Sequence, residues 1–90
     1  MNLEEYKLAV PARLLQELDD YAARRVPPSH FLRAVLANNL YNAVIHADPG
    51  SLKCLRDIVS CVVNELPYQS CGSYEAVNKW LSAVPVEGVK

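Results

Sequence analysis

Three asparagines, Asn38, Asn39 and Asn42, crowd the middle of a segment whose apolar residues otherwise follow a helical period. Asparagine is a mediocre residue for a helix interior, because its side chain competes for backbone hydrogen bonds. Asn38 and Asn42 are four residues apart and would share one face of a helix. The cluster therefore predicts a polar site that reads a ligand or the backbone of a partner, or else a surface turn or a polar contact between helices.

A second group of polar residues spans a helix end, a loop and the start of the next helix. Glu65, beside Asn64, is at the C-terminal end of its helix, where the helix dipole disfavours negative charge. Backbone amides at a helix N-terminus bind anions well, so Gly72 and Ser73 could hold a phosphate or a carboxylate. The alternative is plain loop closure and helix capping. The predicted binding site comprises Asn38, Asn39, Asn42, Asn64, Glu65, Gly72 and Ser73.

The thiols and imidazoles are the residues that could form a metal site. Cys54 and Cys61 are seven residues apart and would project from one side of a helix, and His46 and Cys71 lie elsewhere in the chain. The sequence contains no Cys-x-x-Cys pair and none of the usual spacings of zinc ligands. We therefore expect three cysteines buried as small apolar side chains, with no metal and no cofactor. His30 is expected to be a surface residue.

The sequence contains no catalytic motif of the common kinds. A glycine-rich phosphate loop, a serine elbow and a paired histidine–carboxylate motif are all missing, and three glycines leave little room for such a loop. We predict a protein that is not an enzyme and has no catalytic residues. The formal net charge is -1, and the sequence has no long block of charges of either sign. These features argue against nonspecific electrostatic binding to nucleic acid or anionic lipid.

A length of 90 residues predicts one domain, spanning residues 1–90. A domain of this size has a thin core, and its many leucines, valines and alanines favour burial against a second copy, so we expect a homo-oligomer. The start MNLEEYKLAV lacks the features of a signal peptide, and no apolar run approaches the ~18–20 residues of a membrane span. Three cysteines, an odd number, fit reduced thiols in a cytoplasm.

Hydrophobic periodicity predicts an all-α fold, a compact domain of four helices packed orthogonally. The first helix is expected over residues 11–24, and the second runs from a Ser29 cap to about His46. Asp48-Pro49-Gly50 ends the second helix, and Ser51 caps a third that runs to Pro67. A short last helix follows Gly72 or Ser73. The residues expected to be buried on the second and third helices are Phe31, Leu32, Val35, Leu36, Leu40, Ala43 and Val44, then Leu52, Leu55, Ile58, Val59, Val62, Val63 and Leu66.

Residues 3–10 alternate in polarity and predict a short strand or an extended arm lying on a partner, and residues 85–90 predict a frayed tail. A strand followed by two helices is typical of ribbon-helix-helix repressors, whose paired strands enter the DNA major groove. Only Lys7 would give that strand a positive charge, and Glu4 and Glu5 precede it. The strand would therefore offer almost no positive charge to neutralise the phosphates of DNA. A dimeric DNA-binding regulator is the alternative function, and nucleic acid is not the partner we expect.

A longer set of residues carries a resemblance to a known family. They are Pro28-x-x-Phe31-Leu32-x-Ala34-Val35-Leu36-x-Asn38-x-Leu40, Ala43, Ala47-Asp48, Ile58-Val59, Asn64-Glu65, Pro67, Gly72-Ser73, Glu75-Ala76-Val77 and Trp80. With these residues the stretch from about Pro11 to Trp80 resembles a family of small, mostly uncharacterised proteins of tailed phages and prophages. The resemblance implies a phage origin and assigns no activity.

The expected function is that of a non-enzymatic phage accessory protein in the host cytoplasm that counters a host defence process by stoichiometric binding. Two routes stay open. The protein could block a host immune protein, as anti-CRISPR proteins do, or it could sequester a small signalling nucleotide, as anti-defence sponge proteins do. A polar pocket lined by Asn38, Asn42 and Gly72-Ser73 would favour the nucleotide, whereas a surface without such a pocket and without a basic face would favour a protein.

Overall fold

The computed structural model describes residues 3–83, and all regular elements in that range are helices. The prediction of an all-α fold is confirmed. Val84 and the predicted tail, residues 85–90, lie outside the described residues. The α-helices are α1 (Ala12–Arg24), α2 (His30–Leu36), α3 (Leu40–His46), α4 (Pro49–Lys53), α5 (Leu55–Glu65) and α6 (Tyr74–Ser82), and two 3-10 helices cover Leu3–Tyr6 and Tyr68–Ser70.

Helix α1 is the element that the sequence predicts most closely. Its buried side chains recur at helical spacing on one face and are Leu14, Leu15, Leu18, Tyr21 and Ala22. The helix ends at Arg25, which adopts the left-handed conformation with φ 60° and ψ 35°. The amide of Arg25 donates to the carbonyl oxygens of Asp20 and Tyr21, and the amide of Val26 also donates to that of Asp20, at 3.3 Å, so these bonds close the last turn of the helix.

The predicted second helix is interrupted, and this corrects the expectation of one helix from Ser29 to His46. Asn38 has a φ of 62°, and the amide of Asn39 donates to the carbonyl oxygen of Ala34 at 2.9 Å, which closes α2 in a left-handed turn. Asn39 then begins α3, because its side-chain oxygen accepts a hydrogen bond from the amide of Asn42 at 3.1 Å. Asn38 and Asn39 therefore end α2 and begin α3.

The predicted third helix is also divided. Asp48, and not Ser51, caps the helix after the turn: its carboxylate accepts from the Ser51 amide at 2.7 Å, and Pro49 occupies the first turn, where no amide is needed. Ser51 lies inside α4 and is buried. A break at Cys54 separates α4 from α5. The expected four helices are therefore six in residues 3–83, and the orthogonal packing stays a prediction.

The N-terminal segment is not a strand. Leu3–Tyr6 forms a 3-10 helix, and the amides of Ala9 and Val10 both donate to the carbonyl oxygen of Tyr6, at 3.0 and 2.8 Å. Both the predicted strand and the predicted arm require an extended backbone. These short-range hydrogen bonds form a 3-10 helix and turns instead. Val10 is buried against the core, so the segment packs on its own chain.

The centre of the core is organised around Tyr21, whose side chain is fully buried. The Tyr21 hydroxyl donates to the carbonyl oxygen of Ser70 at 2.5 Å, and the indole Nε1 of Trp80 donates to the carbonyl oxygen of Tyr21 at 3.0 Å. Burial raises the pKa of Tyr21 to about 12. These bonds connect the end of α1 to the loop before α6 and to α6 itself. No helix within residues 3–83 is long and apolar enough to cross a membrane.

Replacing Tyr21 with Phe should lower the free energy of unfolding by about 1–3 kcal/mol, because the buried carbonyl of Ser70 loses its donor. Urea denaturation followed by circular dichroism measures the change. Tyr68→Phe is the matched control, since Tyr68 is 90% exposed and should leave the stability unchanged. Equal effects of the two substitutions would contradict this account of the core.

The wild-type protein should lose stability as the pH rises from 10 towards 12. The unfolded chain ionises Tyr21 near its ordinary pKa of about 10, whereas the folded chain holds the hydroxyl neutral until about pH 12. The contribution is complete below pH 10 and is lost above it. Tyr21→Phe should show a shallower decline in urea midpoint over this range, and parallel declines in both proteins would contradict the assignment.

Candidate functional site

The asparagine cluster connects three helices. The side-chain amides of Asn39 and Asn42 both donate to the hydroxyl of Tyr74, at 3.3 and 3.2 Å, and so tie α3 to the start of α6. Asn38 is exposed and occupies the left-handed turn between α2 and α3. Each asparagine therefore has a structural role in a turn, a cap or a contact between helices. These roles favour the interpretation of the cluster as a turn and a polar contact over its interpretation as a binding site.

Gly72 and Ser73 lie beside this cluster, as the predicted site requires. The amide of Gly72 donates to the carbonyl oxygen of Leu36 at 2.7 Å, and Gly72 has a φ of 116°, a conformation that favours glycine. The hydroxyl of Ser73 caps α6 by accepting from the amide of Ala76 at 3.0 Å. The structure thus brings together five of the seven predicted residues, but the Gly72 and Ala76 amides already have protein partners.

Asn64 and Glu65 make their contacts elsewhere in the fold. The side-chain amide of Asn64 donates to the hydroxyl of Tyr6 at 3.3 Å and to Ser60 Oγ at 3.2 Å. These bonds join α5 to the N-terminal 3-10 helix. Glu65 is half-buried at the end of α5, and its charge adds to the effect of burial in raising the pKa of Cys61.

The three thiols are held in their protonated form. Burial raises the pKa of Cys61 to about 11 and raises the pKa values of Cys54 and Cys71 as well. A thiol is a weak nucleophile and a weak metal ligand until it ionises. Cys61 is fully buried, whereas Cys54 and Cys71 are half-buried. Within residues 3–83 no three histidine, cysteine or carboxylate side chains are grouped as a metal site would need.

The surface that sequence reasoning missed is apolar. Leu40, Val44, Val59 and Val63 were expected in the core, as was Leu52 on α4, but all five are exposed, Leu40 at 68% and Val63 at 70%. On α3 the physical reason is the break at Asn38, which begins a separate helix whose one buried residue is Ala43. We define the α3–α5 face as Leu40, Tyr41, Val44 and Ile45 of α3 with Val59 and Val63 of α5.

A small groove shows that the two helices contribute to one surface. It has a volume of about 80 Å³ and lies between α3 and α5, with Leu40 and Val59 on its sides and Val35 and Leu55 among the residues that line it. Tyr41 and Ile45 continue the apolar side chains around α3, and both are exposed. A sequence signal was present, because Leu40 and Val44, like Val59 and Val63, are four residues apart and must share one side of a helix.

No family model, curated protein or solved structure matches this chain.

Asn38 should tolerate glycine better than alanine. Glycine adopts the left-handed conformation freely, so Asn38→Gly should leave the free energy of unfolding within about 0.5 kcal/mol of the wild type. Asn38→Ala should destabilise by about 1 kcal/mol, since alanine has a Cβ and no short polar side chain to offset it. Urea denaturation of both variants measures the difference. A larger loss for glycine than for alanine would show that the side chain of Asn38 makes an essential contact.

Proposed function

We propose that this chain is a non-enzymatic phage accessory protein that counters a host defence process by stoichiometric binding of a host immune protein. The α3–α5 face is the observation that carries the proposal. A seven-residue helix that exposes Leu40, Tyr41, Val44 and Ile45 gains little from its own fold, because only Ala43 on it is buried. Covering such a face removes apolar area from water, which is the main favourable term in most protein association.

The size of the face fits a protein partner. An apolar side chain buries about 60–120 Å² of apolar area when it is fully covered, so the exposed fractions of the six side chains offer roughly 200–400 Å². That area is similar to the largest apolar patches of monomeric proteins, which are often functional. It also approaches the non-polar part of one side of a standard interface, about 450 Å² of about 800 Å².

The chemistry of the face is less suited to the other partners considered. None of its six side chains is charged, whereas duplex DNA is bound through cations that neutralise phosphates. The ribbon-helix-helix alternative also lacks a specific observation in its favour, since Leu3–Tyr6 is a 3-10 helix and residues 7–10 form a turn and a bend after it. For a signalling nucleotide, the asparagine cluster offers side-chain amides that already donate to Tyr74.

The test of the proposal is a charge placed on the face. Leu40→Asp should abolish capture of the host protein and should abolish restored plating of phage on bacteria that carry the targeted defence system, because a buried unpaired carboxylate opposes association. The matched control is Leu8→Asp, since Leu8 is 98% exposed and lies outside the face. Melting curves show that both variants fold. Equal activity of the two variants, or no defence system affected by the wild type, would contradict the proposal.

We also expect the wild-type protein to form at least a dimer at micromolar concentration, because its core is thin for its apolar content. Light scattering coupled to gel filtration measures the mass, and a particle of 10.0 kDa would contradict the expectation. If Leu40→Asp retains the oligomer, the α3–α5 face is free for a host protein. If Leu40→Asp is a monomer, a second copy covers that face, and the proposed contact with a host protein through it is wrong.

A further inference from the structure

A cationic cleft runs along α6 from Ser73, which caps that helix, to Ala83, which follows its last residue. Ala83 and Lys79 line the cleft, which has a volume of about 490 Å³ and lies between α6, the end of α1 and the 3-10 helix before α6. Pockets for small ligands have volumes of about 300–1,000 Å³.

Arg25 is the preorganised cation of this cleft. Its guanidinium carbon lies 3.7 Å from the centroid of the Trp80 ring, and its Nη1 donates to the carbonyl oxygen of Ala22 at 3.0 Å. Its backbone has a φ of 60°, a left-handed conformation that disfavours residues other than glycine. Two contacts therefore hold a side chain that would otherwise be flexible, and a fixed guanidinium loses little entropy when it binds an anion.

No carboxylate among the described residues neutralises the charge of this cation. Within residues 3–83 the cations with carboxylate partners are Lys7, Arg13 and Arg24. Arg25 has no such partner there, and its Nε is buried without a hydrogen bond in the described part of the chain. The described contacts of the guanidinium are therefore the ring of Trp80 and the carbonyl oxygen of Ala22, and neither carries a formal negative charge.

Lys79 adds a second cation to the cleft and Glu75 adds one carboxylate, which leaves a net charge of +1 from these three side chains. Lys79 also has no carboxylate partner among the described residues. The methyl groups of Ala76 and Ala83 supply apolar lining between the charges. This combination fits a singly charged oxyanion attached to an apolar or aromatic group better than it fits a free multivalent ion.

We infer that the cleft between Arg25 and Lys79 binds a small organic anion, a phosphodiester or a carboxylate joined to an aromatic or apolar group. The anionic oxygens accept hydrogen bonds from the guanidinium and the ammonium, and the apolar part packs against Ala76, Ala83 and the indole of Trp80. The site is separate from the α3–α5 face, so it does not depend on the proposed host-protein contact and the two can fail independently. A phosphodiester would give the signalling-nucleotide route a binding site.

The single tryptophan of the chain makes this site directly observable. Because Arg25 lies on the ring of Trp80, an anion that contacts the guanidinium should change the emission of that one residue. We expect a saturable change with cyclic AMP or with benzoate at up to about 1 mM, and no saturable change with adenosine, which has the base without the charge. A response to cyclic AMP alone assigns a phosphodiester, and a response to benzoate alone assigns a carboxylate.

Charge variants measured by calorimetry separate a site from a general charge effect. Lys79→Gln should weaken binding of the responding anion about tenfold, because it removes a charge-assisted hydrogen bond. Glu75→Gln should tighten it by roughly threefold, since a like charge leaves the cleft. Lys53→Gln is the matched control, because Lys53 lies on α4 outside the cleft and its loss gives the same net charge as Lys79→Gln.

The Arg25→Gly variant distinguishes a role of Arg25 in anion binding from a role in folding. Glycine relieves the left-handed backbone while it removes the guanidinium, so the melting temperature should stay within a few degrees of the wild type and anion binding should be lost. The inference is overturned if neither cyclic AMP nor benzoate gives a saturable change, if Lys53→Gln weakens binding as much as Lys79→Gln, or if the Arg25→Gly protein binds as the wild type does.

Discussion

Tyr21 joins parts of the chain that are far apart in sequence. Its hydroxyl donates to Ser70, and its backbone carbonyl accepts from the indole of Trp80 and from the amide of Arg25. A tyrosine hydroxyl buried in a core must find an acceptor, because leaving it unpaired costs more than a hydrogen bond returns. Through Ser70 and Trp80 these bonds fasten both the 3-10 helix before α6 and α6 itself to the end of α1. Both the cleft beside Trp80 and the contact of Tyr74 with α3 depend on the position of α6.

The sequence predicted local structure where neighbouring residues are sufficient to determine it. The burial pattern of α1 and the caps provided by Ser29 and Ser73 are visible because periodicity and N-capping act within one turn. The end of α2 and the start of α4 were not predicted, since a left-handed Asn38 competes with an equally plausible continuous helix, and a cap at Asp48 competes with one at Ser51. In a chain this short, the choice between them changes which side chains reach the core.

Local patterns in the sequence were also insufficient to identify the candidate site. The unusual placement of Asn38, Asn39 and Asn42 was recognised from helix propensity, but propensity cannot distinguish a ligand site from a helix break. The structure resolves the asparagines into a turn, a cap and two bonds to Tyr74. The apolar face and the Arg25 cleft, by contrast, arise from how helices meet, since Leu40 meets Val59 and Arg25 meets Trp80 only in the folded chain.

Helix α3 is anchored more weakly than the rest of the fold. Its one buried side chain is Ala43, and its other described contacts are exposed ones such as the hydrogen bonds to Tyr74 and the stacking of His46 on His30, whereas α1 buries five residues. Local unfolding free energies follow buried apolar contacts, so α3 should open at a fraction of the free energy needed to unfold α1. Its backbone amides then exchange with solvent through a sub-global opening, and a protein bound to the helix would slow that exchange without touching the core.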